Sequence, residues 1–276
     1  MRPVALAVSL ETLTQDTLRT FEINGPDFHQ YDETIELSNV AGPIFGMDSL
    51  GAALRVLALR TNITQLIITD SFLVSSSLFW PKSAGEAHTL SWPSLEQFTV
   101  EMCAFNPDGD WYFVEDPENG WLSDVSSDEE ESDEQSDDGG FHDFGEGDES
   151  DSDTDTSPRR FRSIPDAKSI NPLLLAMARA ASCMPSIREF SLGLRYGWEE
   201  LYDRLTRIHS FRGFFVELLV DSQTNKKLVW SLGDWRPSEE VETAWRDVLG
   251  PSGTIEYTPV PENFHLGCLN RRKVSA

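Results

Sequence analysis

The stretch PSLEQFTV (Pro93–Val100) comes back ninety-two residues later as PSIREFSL (Pro185–Leu192). Both read Pro, Ser, an aliphatic residue, two polar positions, Phe, a small hydroxyl residue and a second aliphatic. Reduced to its apolar skeleton, the phrase is aliphatic, two positions, apolar, one position, aliphatic. In an extended chain the last two apolar residues, two apart, point to the same side of a short strand. The first packs where the chain bends into that strand. A chain that writes this twice is building two equivalent strands.

The skeleton is LxxLxL, the strand signature of leucine-rich repeats. It fits Leu95, Phe98 and Val100, and again Ile187, Phe190 and Leu192. Three further matches are Leu18, Phe21 and Ile23 in TLRTFEI, Leu54, Leu57 and Leu59 in ALRVLAL, and Ile63, Leu66 and Ile68 in NITQLII. The full motif closes with Asn or Cys three positions on, where a side chain inside the bend can serve backbone groups. Cys103 and Asn62 stand at that place in two units, and Pro26, Ser71 and Arg195 in the others. The starts are unevenly spaced, and those at 54 and 63 are too close to be separate turns. The expected fold is therefore α/β: an irregular leucine-rich-repeat-like solenoid of short parallel strands and helices.

Helix signals lie between the strand phrases. Asn171 as N-cap and Pro172 at the first helical position open LLLAMARAASC, which stops before Pro185. WEELYDRLTRIH carries Trp198, Leu201, Tyr202, Leu205 and Ile208 on one helical face. RGFFVELLVDSQTNKKLVWSL reads as a hairpin turning at DSQTN. After it, Ser238 is an N-cap, Glu239 and Glu240 sit at the positive helix end, and Gly250-Pro251 is a stop. Val241, Ala244, Trp245 and Val248 form the buried stripe of that helix, read as a cap over the last repeat.

Charge divides the chain further. The 276 residues carry a formal charge of −25, yet sixteen Asp and Glu with no Lys or Arg fall between Asp124 and Asp155, leaving −9 for everything else. Residues 123–158 are acidic, serine-rich and poor in aliphatics, the composition of a disordered insertion. The expected organisation is a repeat-like part over 1–122, the insertion over 123–158, the continuing repeat-like domain over 159–212, the hairpin and capping helix over 213–250 and a tail over 251–276. An acidic body lacks the Lys/Arg footprint that nucleic acid requires, and its natural counterparts are basic proteins. Ser126, Ser127, Ser150 and Ser152 each have Asp or Glu three positions on, the pattern acidophilic kinases use. Phosphate there would add about −1.5 to −2 per site.

Chemical motifs are lacking. Cys103, Cys183 and Cys268 are odd in number and widely spaced, which fits neither a disulfide framework nor a zinc site. His29, His88, His142, His209 and His265 have no ligand-spaced neighbours. Asp151, Asp153 and Asp155 imitate the start of a calcium loop, but Thr156 and Arg162 stand where Gly and Glu are needed. No cofactor, metal or catalytic residue is expected. Most of the eight Trp read as packing at turns; Trp111 and Trp121, flanking the insertion, are candidate surface contacts. The apolar run Val4–Leu10 is too short for an export signal, and no run reaches the length of a membrane span. The expected setting is intracellular, cytoplasm or nucleus, with no membrane partner; the sequon at Asn62 then has no use.

Several longer stretches share a resemblance. LFWP (Leu78–Pro81), WPSLEQFTV, NPDGDWYF (Asn106–Phe113), the acidic insertion after it, INPLLLAMARAASCMPSIREFSL (Ile170–Leu192) and KLVWSLGDWRPSEEVETAW (Lys227–Trp245) resemble the C-terminal region of many fungal F-box proteins. The resemblance covers residues 54 to 249 and rests on packing and turn residues. It implies a substrate-recognition body of a cullin-RING ubiquitin ligase, binding a protein partner. An F-box with its Leu-Pro-x-Glu opening is not visible, so the chain is expected to be a truncated form or a relative that kept only the recognition body. Docking to the ligase adaptor would then need an F-box missing from this chain. The other reading is a stand-alone acidic scaffold whose 123–158 insertion holds basic proteins.

Overall fold

The computed structural model describes residues 3–11, 13, 17–24, 47–60, 62–81, 90–115, 162–194, 214–222 and 225–259. In chain order these give α1 (Pro3–Glu11), β1 (Thr20–Asn24), α2 (Met47–Arg60), β2 (Gln65–Phe72), a 3-10 turn (Ser76–Leu78) and β3 (Gln97–Met102). Then follow β4 (Phe113–Glu115), β5 (Arg162–Pro165), α3 (Ala167–Ser182) and β6 (Glu189–Leu194). The C-terminal part contributes β7 (Phe214–Ser222), β8 (Asn225–Ser231), α4 (Glu239–Leu249) and β9 (Thr254–Thr258).

Seven strands form one mostly parallel sheet in the order β1-β2-β3-β6-β7-β8-β9. The first four run parallel, β7 is antiparallel to both β6 and β8, and β9 returns parallel to β8. Four of the five LxxLxL matches fall on the four parallel neighbours, and the register aligns them position for position. Phe21, Leu66, Phe98 and Phe190 form one row; Ile23, Ile68, Val100 and Leu192 form the next. Leu18, Phe21 and Ile23 on the edge strand are half-buried, whereas Leu66, Ile68, Leu95, Phe98, Val100, Ile187, Phe190 and Leu192 are buried.

These rows face a layer of helices. The layer follows strand order, with α1 against α2, α2 against the 3-10 turn, that turn against α3, and α3 against α4. Phe79, just after the 3-10 turn, sits 5.6 Å from Phe98 and 5.7 Å from Phe190, ring centre to ring centre. At the far end Trp230 of β8 meets Trp245 of α4 edge-on, at 6.2 Å and 85°. Aromatic burial of this kind carries much of a core's stability.

The fifth match is not a strand. Leu54, Leu57 and Leu59 lie in α2, because buried Leu50 and Ala53 precede them and buried Ala58 stands among them. Buried residues at 50, 53, 54, 57 and 58 trace one face of a helix, a period that a six-residue window does not reveal.

Helix α3 also begins earlier than Asn171. Asp166 is its N-cap, accepting from the Lys168 N–H at 3.2 Å and from the Ser169 hydroxyl at 2.7 Å. A carboxylate at the positive helix end outcompetes a later amide cap. Pro172 therefore lies inside the helix, where it has no N–H to give the Lys168 carbonyl. Asn171 serves another helix instead: its Oδ1 accepts from the Ser238 N–H at 3.1 Å.

Ser238 does cap α4, accepting from the Val241 N–H at 3.4 Å, and the helix stops at Gly250. Val241, Trp245 and Val248 are buried and Ala244 is half-buried. The hairpin β7–β8 exists, but it continues the sheet from β6. Residues 254–258, read from sequence as part of the tail, form β9 beside β8, so α4 is the crossover of a β8-α4-β9 unit rather than a lid over the last strand. The strand was hidden because TIEYT buries little: only Ile255, Tyr257 and Thr258 are half-buried. Lys226 of β8 donates to the Val248 carbonyl at 2.8 Å, satisfying a terminal acceptor of α4. The expected helix over WEELYDRLTRIH, the insertion and the end of the tail lie outside the described residues.

Candidate interaction surface

The parallel units are joined by a repeated backbone device just ahead of each strand. The Arg19 carbonyl accepts from the N–H groups of Thr64 and Gln65 at 2.7 and 3.1 Å. The Thr64 carbonyl accepts from Glu96 and Gln97 at 2.8 and 3.0 Å, and the Glu96 carbonyl from Arg188 and Glu189 at 2.8 and 3.1 Å. One oxygen thus takes two successive donors of the next unit, three times over. The duplicated phrase adds side chains to the backbone pattern. The Ser186 hydroxyl donates to the Pro93 carbonyl at 2.5 Å, and Trp92 N–H donates to the Cys183 carbonyl at 3.0 Å. Turn lies on turn, and strand on strand.

Side chains that alternate with the core rows point away from the described helices. Thr20 and Gln65 are exposed and hydrogen-bonded at 3.3 Å; Gln97 and Glu189 are half-buried and paired at 3.3 Å; Thr69 donates to Asn24 at 2.6 Å. Arg188 pairs with Glu96 at 3.5 Å on the rim. This polar ladder is not uniformly open, because Ile67, Glu101, Ser191, Phe215 and Ser231 in the middle of the same face are buried. Its accessible parts are the row at the strand starts and the β1 and β9 ends, where Glu22 and Glu256 are exposed.

A second surface stands apart from the main sheet. Phe105 and Trp111 bridge across NPDGD, whose Asn106 Oδ1 accepts from the N–H groups of both Asp108 and Asp110 at 2.9 Å. Gly109, at φ 89°, supplies the left-handed residue this turn needs. Trp111 is half-buried, edge-on to Phe105 at 5.6 Å and 63°. Tyr112 follows, buried, its hydroxyl donating to the Val74 carbonyl at 3.0 Å. The chain then enters the antiparallel ribbon of β4 and β5, where Phe113 pairs with Pro165, Val114 with Ile164 and Glu115 with Arg162. Phe113 is buried, whereas Val114 and Ile164 are exposed. Residues 116–161 join the two ends of this ribbon.

A polar cluster marks the β9 end. Tyr257 donates to Glu242 Oε1 at 2.5 Å, Arg236 lies 4.4 Å over the tyrosine ring, and Arg246 pairs with Glu242 at 3.4 Å. Burial, and then the hydrogen bond and negative charge of Glu242, push the Tyr257 hydroxyl up to about 12, against the opposing pull of Arg236 and Arg246. Lys227 and Glu256 form an ion pair on the opposite face of β8 and β9.

The structure brings the repeat residues together as core rows, and Val241, Trp245 and Val248 as one helix face over the sheet; these are packing roles. Cys103 is buried and Cys183 half-buried. Among the described residues no group of His, Cys, Asp and Glu is placed to hold a metal ion, and no helix is long and apolar enough to cross a membrane. Ser126, Ser127, Ser150, Ser152 and Trp121 lie outside the described residues. The Val114–Ile164 pair escaped sequence reading, since Val114 follows the aromatic run Trp111–Phe113, Ile164 stands between Ser163 and Pro165, and only pairing between β4 and β5 joins them. Comparison with family models, with curated proteins and with solved structures gives no match to this chain.

Proposed function

We propose that the chain is a non-enzymatic protein-interaction module of the kind that forms the substrate-recognition body of F-box subunits of cullin-RING ubiquitin ligases. The observation that carries this reading is the stack of four LxxLxL strands in register, each unit's carbonyl holding two N–H groups of the next. Such a stack is read here as an irregular leucine-rich-repeat-like solenoid. The β7–β8 hairpin and the β8-α4-β9 unit continue the sheet beyond the last of these strands. The chain's working place is intracellular, in the cytoplasm or nucleus. A protein substrate would meet the polar row at the strand starts, where side chains are accessible and already oriented by cross-strand hydrogen bonds.

A second reading, an acidic scaffold for basic proteins, is favoured by one observation: both ends of the acidic stretch join a ribbon outside the main sheet. Affinity purification from native cells of the intact chain and of a 124–157 deletion, identified by mass spectrometry at low and high salt, separates the two. A protein partner recovered with both forms and insensitive to salt is the expected result, and ligase adaptor and cullin among the proteins recovered would mean that the ligase role survives without a recognisable F-box. Recovery of basic proteins alone, only with the intact chain and only at low salt, would replace the ligase reading with the scaffold.

A further inference from the structure

Strand β1 is one edge of the sheet, and no strand lies beyond it among the described residues. The Arg19 carbonyl turns toward β2, where it accepts from the Gln65 N–H at 3.1 Å. Backbone groups alternate in direction along a strand, so Phe21 and Ile23 also bond inward to β2. Thr20, Glu22 and Asn24 therefore turn their N–H and C=O groups outward, and all three residues are exposed. An edge of this kind is a template for one more strand.

The apolar rows say what such a strand would carry. Leu66, Phe98 and Phe190 are buried, as are Ile68, Val100 and Leu192. Phe21 and Ile23, at the open end of the same two rows, are only half-buried. An added strand with apolar residues two apart would extend both rows and complete the burial of these two side chains.

Charge then chooses the occupant. Between the two rows, on the opposite face, Glu22 is exposed with no cation paired to it among the described residues. Through the register of the sheet it is level with Glu256 on β9, the other edge. A second copy continuing the sheet from β9 in that register would set Glu256, already paired to Lys227, against Glu22. Two copies joining β1 to β1 about Glu22 would set that residue against itself. Like charges opposed across strands disfavour both. A Lys or Arg fits where a second glutamate does not.

We propose that the open edge of β1 is a docking site for an extended segment of a partner protein, added to the sheet as a further strand. Its Lys or Arg lies beside Glu22, and the aliphatic residues on either side of that cation lie beside Phe21 and Ile23. Backbone hydrogen bonds supply affinity, and the alternating side chains select the segment. This goes beyond the row at the strand starts, and rests on the interaction-module reading only in taking the occupant to be a protein.

The test uses two synthetic peptides, one centred on Val-Lys-Val and its twin on Val-Glu-Val, each added at millimolar concentration to the isotope-labelled full chain. Amide exchange followed by NMR is expected to slow at Thr20, Glu22 and Asn24 when the Lys peptide is added. That peptide should bind about five-fold more tightly than its twin, on the scale of a cross-strand charge pair, and Glu22→Lys should reverse the order. Backbone N-methylation of the Lys peptide at one alternating set of residues should abolish binding, and at the other set should leave it, because an added strand bonds through every second residue. Exchange unchanged at the three amides, equal tolerance of both methylation sets, or an order of the two peptides unaltered by Glu22→Lys overturns the inference. The interaction-module reading does not fall with it, since that reading is tested by the partner recovered from native cells.

Discussion

The ring of Phe98 lies flat on the ring of Phe190, centroids 5.0 Å apart and planes within 2° of parallel, although 92 positions separate them in the chain. Both are buried, and Phe79 leans on each from the helix layer. Truncating either ring opens a cavity between two units at once. Phe98→Ala or Phe190→Ala is expected to cost about 3–5 kcal/mol in urea unfolding. The double variant should fall short of the sum by about 0.5–1.5 kcal/mol, the coupling of a stacked pair.

The two halves of the duplicated phrase meet through their own strands and turns, so the described pairing of β3 with β6 involves no residue of 124–157. Removing residues 124–157 is expected to leave the urea midpoint unchanged or raise it. Shortening that connection about four-fold lowers its closure cost by roughly 1 kcal/mol. A cooperative transition lost on deletion would show that the segment is part of the fold.

Gly253 tests how tightly the β8-α4-β9 crossover is drawn. A Cβ at this position would lie 2.5 Å from Leu249 Cβ and 2.8 Å from its carbonyl oxygen. Backbone cannot yield as a flexible side chain does, so Gly253→Ala is expected to destabilise by about 1–3 kcal/mol. Hydrogen exchange should show the loss first in α4 and β9.

Tyr257 gives the alkaline limb of stability a local origin. Its hydroxyl has its ordinary value near 10 when the chain is unfolded and is pushed up to about 12 in the fold by burial and then by Glu242. The folded state therefore retains this proton where the unfolded state releases it. The stabilisation is whole below pH 10 and drains away as pH rises from there through about 12. Urea midpoints across that range should fall less steeply in Tyr257→Phe than in the parent. Glu242→Gln, which removes the charge but keeps an acceptor, should move the Tyr257 titration downward, read as the tyrosinate absorbance lost in Tyr257→Phe.

Much of the sheet could be read before any coordinates. The skeleton of PSLEQFTV located β1, β2, β3 and β6 because a buried parallel strand must repeat its apolar spacing wherever it enters the core. The same skeleton misled at ALRVLAL, where a helix presents Leu54 and Leu57 at a spacing that six residues cannot distinguish from a strand entrance. At α3 a local preference lost to a better one: Asn171-Pro172 is a sound helix opening, and Asp166 with Ser169 is a stronger one. The Ser238 cap and the Gly250 stop were legible because both are written within a few residues. The interaction surfaces were less so. The Val114–Ile164 pair and the polar row from Thr20 to Glu189 exist only through long-range pairing, and Ser191 gives no local sign that it is buried.

The order of synthesis adds a consequence to the register of β3 with β6. At about 5–20 residues per second, the 92 positions between the two phrases take roughly 5–20 s to emerge. Throughout that interval the edge of β3 that will receive β6 has no native neighbour, and Phe98 and Val100 lack their cover on that side. The stretch from Asp124 to Asp155, which emerges within that interval, is the most charged in the protein. On a crowded polysome, neighbouring nascent chains would each carry that charge while the edge waits, and their mutual repulsion opposes the strand-to-strand association to which such an edge is prone.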